Sequence, residues 1–227
     1  MSPSSRVDPA ILAGATGPEG AARLFAHLGY EADVLAVPRE AYGAVGLDPA
    51  EPEPRAVHRL ARHGGLEVWL VELGDVRDRA AARRLVLRLY RHNRGVRRLY
   101  VFAGPGYDRL ALAAPVPGAE PPVLRWATLR PADPRRADLD LLRDLRADGV
   151  GSAVELALRH AEALDRERVT RRVYRAIRRA RDELAAAWTG VPEAARADRL
   201  ELALLTLNRL LFLTFLQQKG WLDGDLH

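Results

Sequence analysis

Cysteine is absent from this chain, and lysine occurs once, at Lys219, among 35 Lys and Arg residues. The lack of thiols excludes disulfides and thiolate metal sites, and it fits a reducing cytoplasmic setting, the expected location. Long apolar runs are missing too. The first residues show no basic start followed by an apolar core, and nowhere do about 18 apolar residues follow one another. The most apolar stretch, Leu200 to Leu216, is interrupted by Glu201, Asn208 and Arg209. It reads as a buried helix of a soluble protein, so a membrane is not among the expected partners.

What the sequence does hold is a large hydrophobic fraction, 48% of 227 residues, enough for a substantial core. The net charge of +5 is carried by arginine. Part of that bias matches the codon usage of a GC-rich genome. Its physical consequence stands regardless of origin, because a guanidinium fork binds phosphate oxygens or carboxylates through two parallel hydrogen bonds. A basic balance permits nucleic-acid binding without establishing it.

Periodicity and turn residues divide the chain. Residues 1–18 are small, polar and proline-containing, and read as a flexible leader. A helix is expected over Glu19–Leu28 and a strand over Ala32–Val37, followed by a proline-rich loop around Asp48–Pro54. Arg55–Arg62 reads as a short helix with Val57 and Leu60 inward, stopped by Gly64 and Gly65. Leu66–Leu73, rich in strand formers and bounded by glycines, is the expected central strand. Arg77–His92 is an amphipathic helix with Ala81, Leu85, Val86 and Leu89 on one face. Strands are expected over Arg98–Ala103, Arg109–Ala114 and Val123–Leu129, the first two joined by the turn Gly104–Asp108.

After Pro131–Pro134 the strand signals stop. Leu139–Asp148 and Ser152–Ala163 read as connecting helices, and Arg166–Trp188 as a long one with Val169, Val173, Ile177, Ala180, Leu184 and Trp188 in a stripe. Glu193–Gln218 is a second long helix. The expected fold class is therefore α+β (mixed α/β): a leader at 1–18, an α/β layer domain at 19–132, a connector at 133–160 and a helical module at 161–227.

Two patterns bear on function. Around the stripe of the Arg166–Trp188 helix stand Arg168, Arg171, Arg172, Arg175, Arg178, Arg179 and Arg181, a ridge able to follow the phosphates of duplex DNA. Against that, Asp165, Glu167, Asp182 and Glu183 could turn it into a solvated face of weak ion pairs. The second pattern is Asn208-Arg209-Leu210-Leu211-Phe212-Leu213-Thr214-Phe215-Leu216-Gln217-Gln218-Lys219-Gly220-Trp221-Leu222. Taken as packing alone, Leu204, Leu207, Leu211, Phe215 and Trp221 would fill a core.

This second segment resembles the stretch preceding the catalytic domain of large adenine-specific DNA methyltransferases of type IIG restriction–modification and BREX-like phage-defence systems. The run Ala163–Tyr174 looks like the helix that leads into it in the same family, and the likeness covers about 60 residues. It implies the amino-terminal, DNA-binding and scaffolding part of such an enzyme, with S-adenosylmethionine bound only in a downstream methyltransferase domain or subunit. The parts a methyltransferase needs, a cofactor loop and an Asn/Asp-Pro-Pro-Tyr/Phe motif, are not found in the sequence, and Gly104-Pro105-Gly106-Tyr107 reads as a hairpin turn. No cofactor is expected for this chain alone.

The order of elements in the first half is similar to nucleases of the PD-(D/E)xK type. That likeness implies acidic residues on adjacent strands holding Mg²⁺, with a lysine two positions after the second acid. The best match is Glu72-Leu73-Gly74 with Asp33 or Asp48 upstream; glycine stands where the lysine belongs, and Asp75 and Arg77 lie nearby. Glu67 and Glu72, five apart, fall on opposite faces of one strand and cannot form a carboxylate pair. The histidines show no metal-ligand spacing and the serines no triad pattern. Three readings follow: a DNA-binding scaffold beside a methyltransferase, a metal-dependent nuclease, and a protein-interaction module whose apolar last helix docks on a partner.

Overall fold

The computed structural model describes residues 7–119, 122–188 and 196–221, and it divides into two units, residues 1–166 and 167–227. The first unit is built on one mixed six-stranded sheet whose spatial order follows the chain. It is α+β, with helices on both faces of the sheet.

Chain order explains the layers. Asp8 accepts the Ala10 N–H and Pro9 sets the first turn of α1 (Pro9–Ala13). Val7, Leu12 and Ala15 are buried. The leader expectation is thereby corrected for residues 7–18: an Asp-Pro cap signal starts the fold before Pro18. α2 (Pro18–His27) buries Ala21, Ala22, Leu24 and Phe25 and leads through Gly29 into β1 (Glu31–Ala36). α3 (Tyr42–Val45) lies in the loop that follows.

β2 (Ala56–His63) and β3 (Leu66–Glu72) form an antiparallel hairpin at Gly64 and Gly65. The expected helix at Arg55–Arg62 is therefore a strand. Val57 and Leu60, three apart, are buried on opposite faces of the sheet, and a register shift between Arg59 and Ala61 puts Leu60 and Ala61 on one face in succession, so the run shows no strand alternation. α4 (Arg79–His92), capped by Asp78, returns the chain to β4 (Arg97–Ala103), which runs parallel to β3. β5 (Leu110–Pro115) and β6 (Leu124–Leu129) complete the sheet as an antiparallel ladder.

Period-two alternation sends Leu66, Val68, Leu70, Leu99 and Val101 to one face and Trp69, Val71, Tyr100 and Phe102 to the other. α1 and α2 cover the first face together with α5 (Arg136–Asp144) and α6 (Ala153–Ala163), whose Leu141, Leu142, Leu145 and Leu156 are buried. The segment expected as a connector at 133–160 is thus a packed layer of the first unit. A buried lock ties it down: the Tyr30 hydroxyl donates to the Leu145 carbonyl at 2.8 Å and lies 2.6 Å from His160 Nε2. Burial pulls His160 down to about 3 and raises Tyr30.

The second unit contains α7 (Arg166–Ala187) and α8 (Arg196–Gln218). The expectation that α8 is a buried helix is overturned. Only 6% of its most apolar window is buried, with Leu204 41%, Leu211 50%, Phe215 47% and Trp221 71% exposed. These residues fill no core within the described chain. By length and composition, Ala197–Gln218 is apolar enough to cross a membrane, although Glu201 and Arg209 lie in it.

Candidate nucleic-acid interface

α7 places arginines three, four and seven positions apart, so they repeat along one side of the cylinder. Arg175, Arg178 and Arg179 are exposed and line a shallow groove with Asp182, Glu183 and Ala186. The side chains of Arg168, Arg171 and Arg172 lie outside the described residues. Of the acids that could neutralise the ridge, Asp182 is bound by the neighbouring Arg181 at 2.5 Å, and Asp165 by Arg125 of β6 at 3.2 Å. Arg175, Arg178 and Arg179 thus present exposed guanidinium groups beside Asp182 and Glu183, with helical neighbours about 5–6 Å apart at Cβ, an arrangement able to contact phosphates.

The carboxylate candidates are scattered. Glu72, at the end of β3, accepts from the Tyr107 hydroxyl at 2.5 Å, and His58 Nε2 is 3.8 Å away. Desolvation, together with the hydrogen bond to Glu72, holds the Tyr107 hydroxyl protonated well above its ordinary range. Asp33 is engaged by Arg59 and Arg62, and Arg59 also reaches Glu67, on the face of β3 opposite Glu72. Asp48 accepts the Ala50 N–H in the loop before β2. The structure thus does not bring Asp33 or Asp48 to Glu72, and no group of three or more metal-ligating side chains occurs among the described residues. These residues do not fit a Mg²⁺ site, and no hydrolytic step follows from them.

Three residues beside Glu72 escaped the sequence reading. Because Ala56 pairs with Glu72, the start of β2 lies against the end of β3. Glu53 accepts the Gly74 N–H at 2.9 Å, and the Arg55 guanidinium lies over Gly74, where an added Cβ would meet its Nη2 at 3.2 Å. A cationic side chain from β2's approach thereby stands near the position where the nuclease pattern wants lysine, 3.9 Å from the Glu53 carboxylate. Tyr107 adopts φ +51, a left-handed conformation costly for a tyrosine, and turns its ring inward from the loop after β4. The turn Gly104–Asp108 had signalled the bend but not that ring's destination.

No protein-family model, curated protein or solved structure matches the chain. A functional reading therefore rests on the geometry of the described residues and on the sequence of the segment Asn208–Leu222. The described part of that segment, residues 208–221, lies on α8 and just after it, where Lys219 and Trp221 flank the Phe215 ring.

Proposed function

We propose that this chain is a DNA-binding and scaffolding region of a restriction–modification or phage-defence adenine methyltransferase, without the methyl-transfer site itself. The observation that carries the reading is the exposed arginine row of α7, Arg175, Arg178 and Arg179, continued in sequence by Arg168, Arg171 and Arg172. Phosphate contacts of this kind position a protein on DNA without reading sequence.

The exposed apolar surface of α8 supports the scaffolding half of the proposal. A largely apolar helix is normally enclosed by other structure, and among the described residues α8 is mostly exposed. A downstream methyltransferase domain or subunit supplies that enclosure in this reading, together with S-adenosylmethionine.

The test is fluorescence anisotropy with labelled duplex DNA at low salt, comparing the chain with its Arg175→Ala/Arg178→Ala/Arg179→Ala variant. Binding weakened equally on unrelated sequences is expected, with no methyl transfer from S-adenosylmethionine. Undiminished binding by the variant removes the ridge from the interface; absence of binding by the parent chain favours a pure protein-interaction module.

A further inference from the structure

The α4 face of the sheet holds a second cationic feature, remote in sequence from the ridge. A cavity of about 140 Å³ opens there, lined by three arginines, Arg77, Arg79 and Arg109. Ala111, Trp126 and Thr128 contribute to the walls.

Local structure explains this lining. Ala111 pairs with Thr128, so both point to one face, and Trp126 and Arg109, each two positions earlier on its chain, share it. Arg77 and Arg79 flank Asp78, the cap of α4, and join the lining from the start of that helix. Of the acids next to them in sequence, Asp78 accepts the Ala81 N–H at 2.9 Å and Asp75 the Arg77 N–H at 2.8 Å, and Asp108 precedes Arg109. Among the described residues, none of the three guanidinium groups is in an ion pair. Three arginines lining one cavity outside any ion pair favour an anion there, although the carboxylates of Asp75, Asp78 and Asp108 neighbour them in sequence.

Shape and chemistry narrow the anion. Guanidinium forks match the oxygens of a phosphate. The half-buried Trp126, stacked on Phe102 with centroids 5.7 Å apart, places an indole at the wall, and aromatic side chains of this kind stack on bases. The cavity is smaller than the roughly 300 Å³ at which drug-sized pockets begin, so it admits one projecting group rather than a whole cofactor. We propose that it binds the phosphate of a single nucleotide unit, with the base against Trp126. The unit is either a free nucleoside 5′-monophosphate or the phosphorylated 5′ end of a DNA strand.

The inference goes beyond the DNA-scaffold reading and can fail separately from it. Calorimetric titration of the full chain would compare deoxyadenosine 5′-monophosphate, deoxyadenosine, inorganic phosphate, and a short single strand with and without a 5′-phosphate. The nucleotide is expected to bind at least tenfold more tightly than either deoxyadenosine or inorganic phosphate. Arg77→Ala/Arg109→Ala should lose that binding at least tenfold while keeping its thermal unfolding, and Arg175→Ala/Arg178→Ala/Arg179→Ala should retain it. Quenching of tryptophan emission by the nucleotide should vanish in Trp126→Leu. Preference for the free nucleotide or for the 5′-phosphorylated strand identifies the source, and either supports the site. No nucleotide binding, equal binding of deoxyadenosine or of inorganic phosphate, or full affinity in Arg77→Ala/Arg109→Ala overturns it.

Discussion

Acidification should loosen the contact between α6 and Tyr30, the residue before β1, through His160. The ring is 1% exposed and sits between Tyr30 and the Leu145 carbonyl, with the Arg159 charge nearby. Burial penalises the imidazolium more than the carbonyl favours it, so the folded value falls from 6.5 to about 3. The unfolded chain takes up a proton near pH 6.5, whereas the folded chain does not until about pH 3. The histidine's contribution is thus fully present above pH 6.5 and declines as pH falls through the window down to about 3. One proton bound only by the unfolded state costs about 1.4 kcal/mol per pH unit, which gives roughly 2 kcal/mol between pH 7 and pH 5. Urea unfolding at those two pH values, on the parent chain and on His160→Gln, isolates the effect, because all other titrating groups are common to both. The parent should lose about 2 kcal/mol more than the variant on acidification. Equal losses would refute the assignment of His160 as a neutral buried histidine.

Other consequences concern packing and surface. The Arg98 side chain is 5% exposed, lies over the Trp69 ring and donates to Glu67 at 3.0 Å. Glu67→Ala should therefore cost about 3 kcal/mol in chemical denaturation, because it leaves a buried charge unpaired. Gly29 has φ +89, and an added Cβ would come within 2.2 Å of the Asp148 carboxylate. Gly29→Ala should destabilise by more than about 1 kcal/mol, read as a lower thermal midpoint. Phe212, 60% exposed on α8, should tolerate Phe212→Glu within about 0.5 kcal/mol of stability. The same change should abolish co-purification with a co-expressed methyltransferase domain; a large loss of stability would show instead that α8 is packed within this chain.

The legible parts of the fold were those where one physical signal dominated. β3, β4, β5 and β6 are short strand-forming runs bounded by glycine or proline, and α2, α4 and α7 carry an uninterrupted helical stripe, so their positions follow from local sequence. β2 was hidden because a register shift breaks its alternation. The first helix was hidden by its length of only five residues, although Asp8-Pro9 marks its start. For α8 the sequence could state that the surface is apolar but not what covers it, since burial depends on partners rather than on periodicity. At the site level, the sequence placed Glu72 at a strand end and the arginines along α7. It could not show that Asp33 is directed to Arg59, nor that Tyr107 and His58 come to Glu72, because these contacts depend on strand register and loop path.

The most direct test of the account is the salt dependence of duplex binding, measured by anisotropy between 50 and 200 mM salt, the range over which released counterions dominate affinity. Each phosphate contact contributes about 0.9 to the slope of log affinity against log salt. The Arg175→Ala/Arg178→Ala/Arg179→Ala variant should therefore show a slope shallower by about 2 to 3 than the parent, on every duplex tried. An unchanged slope, or a loss confined to one sequence, would contradict the claim that α7 binds DNA through its backbone.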